Sequence, residues 1–122
     1  MIRIKRIYDK PVGTDGLRVL VDRTWPRGIY KAGSKIDFWA ANVAPSTALR
    51  RWYGHDPDKW RDFKEYYFKE LDVNAAAVRD LLALIDTGPV TFLYASKETQ
   101  FNNAAALKDY LEAKVGTHSV QP

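Results

Sequence analysis

The chain has 122 residues, 46% of them hydrophobic and 28% charged, and no cysteine. That composition fits one globular domain over 1–122 with a core of its own, and it excludes disulfides, thiolate metal sites and cysteine nucleophiles. The formal net charge of +4 is uneven: residues 1–61 hold 13 Lys/Arg against 6 Asp/Glu, and residues 62–122 hold 6 against 9. A basic first half fits an anionic small molecule or nucleic acid as partner, or a merely solvated face. His55 and His118 share no ligand-like spacing, so no metal or cofactor is expected. No apolar run approaches the ~20 residues of a membrane span. The start, MIRIKRIYDK, lacks the apolar region of a secretory signal, and the cytoplasm is the expected compartment.

Ile2 to Tyr8 opens by alternating isoleucine with Arg3 and Lys5, the pattern of a half-exposed strand. VGTDG (12–16) is turn chemistry. LRVLV (17–21) is short, apolar and branched, which predicts a central strand. Pro26, Gly28 and Gly33 mark a loop over 23–35. In KIDFWAANVA (35–44), Ile36 and Phe38 alternate, which favours a strand over a helix. Ser46 caps a short helix that runs to about Tyr53 and ends at Gly54. Asp56 and Pro57 pair an N-cap with a first-turn proline. Trp60, Phe63, Tyr67 and Leu71 follow at helical spacing, predicting a helix over 57–72 with Trp60, Phe63 and Tyr67 in the core. Asn74 caps a further helix with the stripe Val78, Leu81, Leu82 and Ile85, stopped by Gly88-Pro89. VTFLYA (90–95) is a second continuous apolar strand, and SKETQ is loop. The last helix starts near Asn102 or Asn103, buries Ala104, Leu107, Leu111 and Val115, and ends at Gly116, leaving THSVQP to fray.

Two continuous apolar strands separated by helices predict an α/β fold: a small three-layer domain with a mostly parallel sheet and helices on its faces. Ligands of such sheets bind beyond the carboxyl ends of the strands. VDRTWPRG (21–28) leaves one of these strands and SKETQ leaves the other. Asp22, Arg23, Trp25 and Arg27 are therefore expected to meet Ser96 and Lys97. Asn102 and Asn103 stand at the amino end of the last helix, where free N–H groups favour an anion. Arg23 and Arg27 either clamp a phosphate or carboxylate or pair with Asp22 and pin the loop. Trp25 either stacks on a ring or anchors the loop.

In LRRWYGHDPDKWR (49–61), arginines interleave with aromatics, as a nucleotide or single-stranded nucleic acid would want. Arg50, Trp52 and His55 make this second patch. Its bland reading is that Trp52 and Trp60 pack against helices and His55 makes a local hydrogen bond. The helix over 57–72 also carries Tyr66 and Phe68 off its main face, which fits either two covering neighbours or a homodimer contact. There is no Walker loop, GxGxxG, GxSxG or HExxH, and no residue is assigned a catalytic role.

RVLVDRTWPRG, APSTALRRWYGHDPDKW and PVTFLYASKETQFNNAAALKDYL resemble, in order and spacing over nearly the whole chain, the YeaO-like branch of a bacterial family of unknown function, number 488. The resemblance implies a small α/β domain and carries no assigned chemistry. The wider family tends to have a cysteine at the end of the last strand and a Cys-His-Arg start to the last helix. This chain has Tyr94 and Ala95 at the first place and Phe101, Asn102 and Asn103 at the second. The branch itself usually has a histidine where Phe101 stands. If the wider family acts through those polar groups, the resemblance implies an altered or inactive branch. The expected function is binding of a small phosphate- or carboxylate-bearing ligand at the strand ends. The alternatives are a nucleic-acid module using the basic first half and a non-catalytic dimerising domain.

Overall fold

The computed structural model describes residues 2–30 and 32–119, with 116–119 as backbone alone. Among these residues, β1 (Ile2–Arg6), β2 (Leu17–Leu20), β3 (Phe38–Trp39) and β4 (Val90–Tyr94) form one parallel sheet in the order β1-β4-β2-β3. The two continuous apolar runs, β2 and β4, lie side by side at its centre, where both faces of a strand are covered. Gly16 sits at φ +64 just before β2, and a Cβ there would lie 2.1 Å from the Pro89 carbonyl oxygen. Only glycine lets β2 start this close to the entry of β4.

Side chains alternate across the sheet. Val19, Val21, Val90, Phe92 and Tyr94 join one large cluster with α1 (Thr47–Tyr53), α2 (Trp60–Val73), α3 (Ala75–Asp86) and α4 (Asn103–Ser119). Leu20 and Leu93 meet Ile7 on the opposite side, covered by Trp25, Ile29 and Ile36. The expected α/β parallel sheet is thus present, with its second face covered by the β2–β3 loop instead of a helix. The sequence there explains it: Pro26, Gly28 and Gly33 leave no uninterrupted helical stretch.

Several expected boundaries shift. The strand expected over 35–44 shrinks to Phe38–Trp39, because pairing with β2 stops after the Ala40 N–H reaches the Leu20 carbonyl, and Ala41–Val43 wind into a 3-10 turn. Asp56 does cap, accepting from the Asp58 N–H at 3.0 Å, but the turn it opens is the 3-10 segment Pro57–Lys59, and α2 begins at Trp60. Trp60 is half-buried, whereas Phe63 and Tyr67 are fully inside. Asn74 makes no side-chain cap; its amide donates to the Asn42 carbonyl at 2.7 Å and ties α3 to the 3-10 turn. Val115 is exposed, not buried. α4 passes Gly116 and reaches Ser119, since one helical glycine costs only about 1 kcal/mol against alanine. The rest of the expected fraying tail, 120–122, lies outside the described residues.

Ser46 behaves as expected, accepting from the Leu49 N–H at 3.1 Å, and Gly54 closes α1 in the left-handed conformation. The sequence does not announce the next link. The Ser46 N–H and hydroxyl donate to the two Glu70 carboxylate oxygens at 2.9 and 2.6 Å, locking α1 to α2. Phe63 is 2% exposed and stacks on Tyr53 with ring centroids 4.4 Å apart. Phe63→Ala should lower unfolding free energy by about 3–5 kcal/mol, transfer loss plus cavity. A denaturant melt giving less than about 1 kcal/mol would mean that this part of the core is not packed as described.

Candidate functional site

Parallel strands bring their carboxyl ends to one edge, and the segments that leave them there are bound together by polar side chains. The Asp22 carboxylate accepts from the Ala95 N–H at 2.9 Å and from the Asn103 amide at 3.0 Å. Asn103 also donates to the Val21 carbonyl at 3.1 Å. One residue after β2 thereby holds the exit of β4 and the first turn of α4. Arg23 reaches the other way, donating to the Ala44 and Pro45 carbonyls at 2.9 and 3.3 Å, and holds the segment that leads into α1. Trp25 donates to the Ile29 carbonyl at 2.6 Å and meets Trp39 edge-on at 5.4 Å. Tyr8, just beyond β1, donates its hydroxyl to the Arg27 carbonyl at 2.9 Å.

A cavity of about 400 Å³ opens at this edge, lined by Arg23, Trp25, Arg27, Arg50, His55, Ser96 and Asn103 among others. A second cavity of about 270 Å³ shares Pro45, Arg50, His55, Ser96 and Asn103 with it, and its further walls are Thr47, Arg51, Tyr53, Phe63 and Asn102. Of the residues expected together, Asp22, Arg23, Trp25, Arg27, Ser96 and Asn103 do line one cleft. Arg50 and His55, read as a separate patch, belong to the same cleft.

Five of the expected binding residues stand differently. Lys97 is exposed and borders neither cavity. Ser96 accepts from the Glu98 N–H at 3.1 Å, a tight local turn around the lysine. Trp52 also borders neither; it meets Tyr66 edge-on at 5.4 Å under the Lys59 ammonium. Asn102 is buried as the cap of α4, accepting from the Ala105 N–H at 2.9 Å and donating to the Glu98 carbonyl at 2.9 Å. Both carboxylate oxygens of Asp22 are engaged within the fold. Arg23 follows neither sequence reading in full. It pins the loop, but through neutral carbonyls, so its charge stays unbalanced.

The charge balance of the edge follows. Among the described residues, the ion pairs are Lys5–Asp15, Arg18–Asp15 and Lys64–Asp109. Burial works against the Asp15 carboxylate, but the Val12 N–H, Arg18 and Lys5 outweigh it and hold the carboxyl below its ordinary range. Lys5 and Arg18 are thus matched to an acid. Arg23, Arg27, Arg50 and Arg51 enter no ion pair among the described residues, and Arg27 and Arg50 are exposed into the cleft. His55 stands at φ +57 just after the left-handed Gly54, an uncommon conformation for a residue with a Cβ. The N–H groups of Gln100 and Phe101 hold the nearby Glu98 carboxyl below its ordinary range, with the His55 charge adding to them.

The sequence reading missed Tyr8, Pro45, Thr47, Tyr53 and Phe63 as lining residues. Tyr8 had a signal, since a residue leaving a third parallel strand must reach the same edge. The others depend on where Arg23 draws the α1 lead-in, which no spacing encodes. At the places where the resemblance leads one to expect polar groups, Tyr94 is buried in the core, with burial the first cause raising its phenol, and Phe101 packs on Trp60 at 5.4 Å.

Asp22 and Arg27 should separate by stability. Asp22→Ala leaves the Ala95 N–H and the Asn103 amide without their acceptor and should cost about 1–3 kcal/mol. Arg27→Ala should stay within about 0.5 kcal/mol, as at an ordinary surface position. Urea melts of the two variants check this; the reverse order would mean that Arg27, not Asp22, holds the edge.

The model described as the inactive DUF488-N3 subclade matches residues 1–121. The uncharacterized protein YeaO of Escherichia coli (strain K12) is 38% identical over 112 residues, covering 92% of this chain and 97% of that protein. An uncharacterized protein of Mycobacterium tuberculosis (strain ATCC 25618 / H37Rv) is 37% identical over 113 residues, covering 93% and 95%. No solved structure matches. Among the described residues, no helix is long and apolar enough to cross a membrane. The strand-end arginines thus sit in an α/β chain that belongs to the DUF488 family, in the subclade described as inactive.

Proposed function

We propose that this chain is a cytoplasmic binding domain for a small anion, phosphate- or carboxylate-bearing, held in the cleft beyond β2 and β4. The observation that carries the reading is the unmatched charge: guanidinium groups of Arg23, Arg27 and Arg50 line the cleft, and its one carboxylate, Asp22, faces an N–H and an amide instead. Like charges gathered at one concave wall repel one another, and an anion between them relieves that cost. Arg27 and Arg50 are free to make direct, charge-assisted contacts. Arg23, fixed from behind, adds field without moving. α4 begins at Asn103 in the cleft wall, and its first-turn dipole adds positive field there although Asn102 already caps the Ala105 N–H.

The size fits a small molecule: about 400 Å³ lies within the usual range for such sites, about 300–1,000 Å³. A concave pocket bounded by Trp25 and Asn103 favours a discrete ligand over a polymer, which would follow an open basic track. No reaction is assigned. The test is thermal unfolding in inorganic phosphate, with ionic strength held constant by chloride. Binding to the native state alone should raise the midpoint saturably, by about 2.7 kcal/mol of stability at a hundred times Kd. The rise should vanish in the Arg27→Ala/Arg50→Ala double variant. No saturable rise, or an equal rise in the double variant, would overturn the reading.

A further inference from the structure

The second cavity has a different character from the first. Its floor is the stacked pair Tyr53 and Phe63, rings 4.4 Å apart at 27°, both almost wholly inside the core. The Tyr53 hydroxyl donates to the Phe101 carbonyl at 2.8 Å, and the two rings show the cavity only a narrow strip of carbon, at 5% and 2% exposure. Polar groups occur at the sides: among the described residues, the Thr47 hydroxyl and the Asn103 side-chain oxygen have no hydrogen-bond partner within the protein. Arg50 and His55 stand at the junction with the cationic first cavity. A simple oxyanion would fill only the first. An apolar ligand would fill only the second and would leave the arginines unmatched.

We infer that the cleft takes a phosphate monoester of a planar ring, of nucleoside monophosphate size. Its phosphate lies among Arg23, Arg27 and Arg50, and its ring lies in the cavity floored by Tyr53 and Phe63. The inference rests on the anion-binding reading above and names the ligand class for the same site. A dianionic phosphate matches several guanidinium groups better than a single carboxylate does. A ring bearing donors and acceptors on its edge suits a floor of carbon with Thr47 and Asn103 beside it. A single terminal phosphate fits a cationic cavity of about 400 Å³ that adjoins the ring cavity.

Titration calorimetry with inorganic phosphate, ribose 5-phosphate, AMP and UMP tests this on the intact chain. AMP or UMP should bind about three-fold or more tighter than inorganic phosphate or ribose 5-phosphate, from enclosure of the ring in the second cavity. Thr47 is exposed, opens α1 and lines the second cavity alone. Thr47→Trp should therefore abolish the ring's advantage while leaving inorganic phosphate binding unchanged. Aromatic NMR signals of Tyr53 and Phe63 should shift with AMP and not with inorganic phosphate, a readout that needs no variant. Equal affinities for all four probes, or no shift of those signals with AMP, would overturn the ring site and leave the anion site standing. Failure of every probe to bind would overturn the anion reading, and the ring site with it.

Discussion

The Asp22 carboxylate is the interaction on which the strand-end edge depends. It accepts from the Ala95 N–H and the Asn103 amide, so one side chain joins the ends of β2 and β4 to the start of α4. Bonds from neutral donors to an ionised acceptor are roughly twice as strong as neutral ones. The same engagement has an electrostatic consequence. The only carboxylate lining the larger cavity faces backbone and amide, so the adjacent guanidinium groups are left without a counter-charge. A structural bond and a binding potential thus come from one residue.

Arg23 completes the arrangement from the opposite side. By donating to the Ala44 and Pro45 carbonyls it sets the start of α1 against the β2 exit. Arg50 and His55 then line the same cleft as Arg27. The Ser46–Glu70 bonds and the Tyr53–Phe101 bond keep α1 from rotating away. At the positions where the wider family is expected to be polar, Tyr94 is buried and Phe101 is half-buried against Trp60. Arginines stand at the edge, and the chain belongs to a subclade described as inactive.

Much of this was legible in the sequence, for physical reasons that can be named. β2 and β4 show as unbroken apolar runs because central parallel strands are covered on both faces. Once they are taken as parallel, Asp22, Arg23, Arg27, Ser96 and Asn103 must emerge at one edge. What stayed hidden depends on contacts between distant segments. Nothing in the spacing of LRRWYGHDP says that Arg50 and His55 turn toward β2 while Trp52 turns toward Tyr66. Lys97 looked equivalent to Ser96, but the Ser96 hydroxyl accepting the Glu98 N–H tightens the turn, and the lysine ends outside the cleft. The strand read over 35–44 is present but short, because alternation reports a half-buried surface and not the length of backbone that finds a partner.

Anomalous diffraction from crystals soaked in tungstate, a heavy stand-in for phosphate, tests the unbalanced cleft most directly. The expected result is a peak between Arg27 and Arg50, within hydrogen-bond reach of both guanidinium groups. Tungstate bound elsewhere on the same molecule, with that cleft empty and its arginines turned to solvent or to carboxylates, would contradict it.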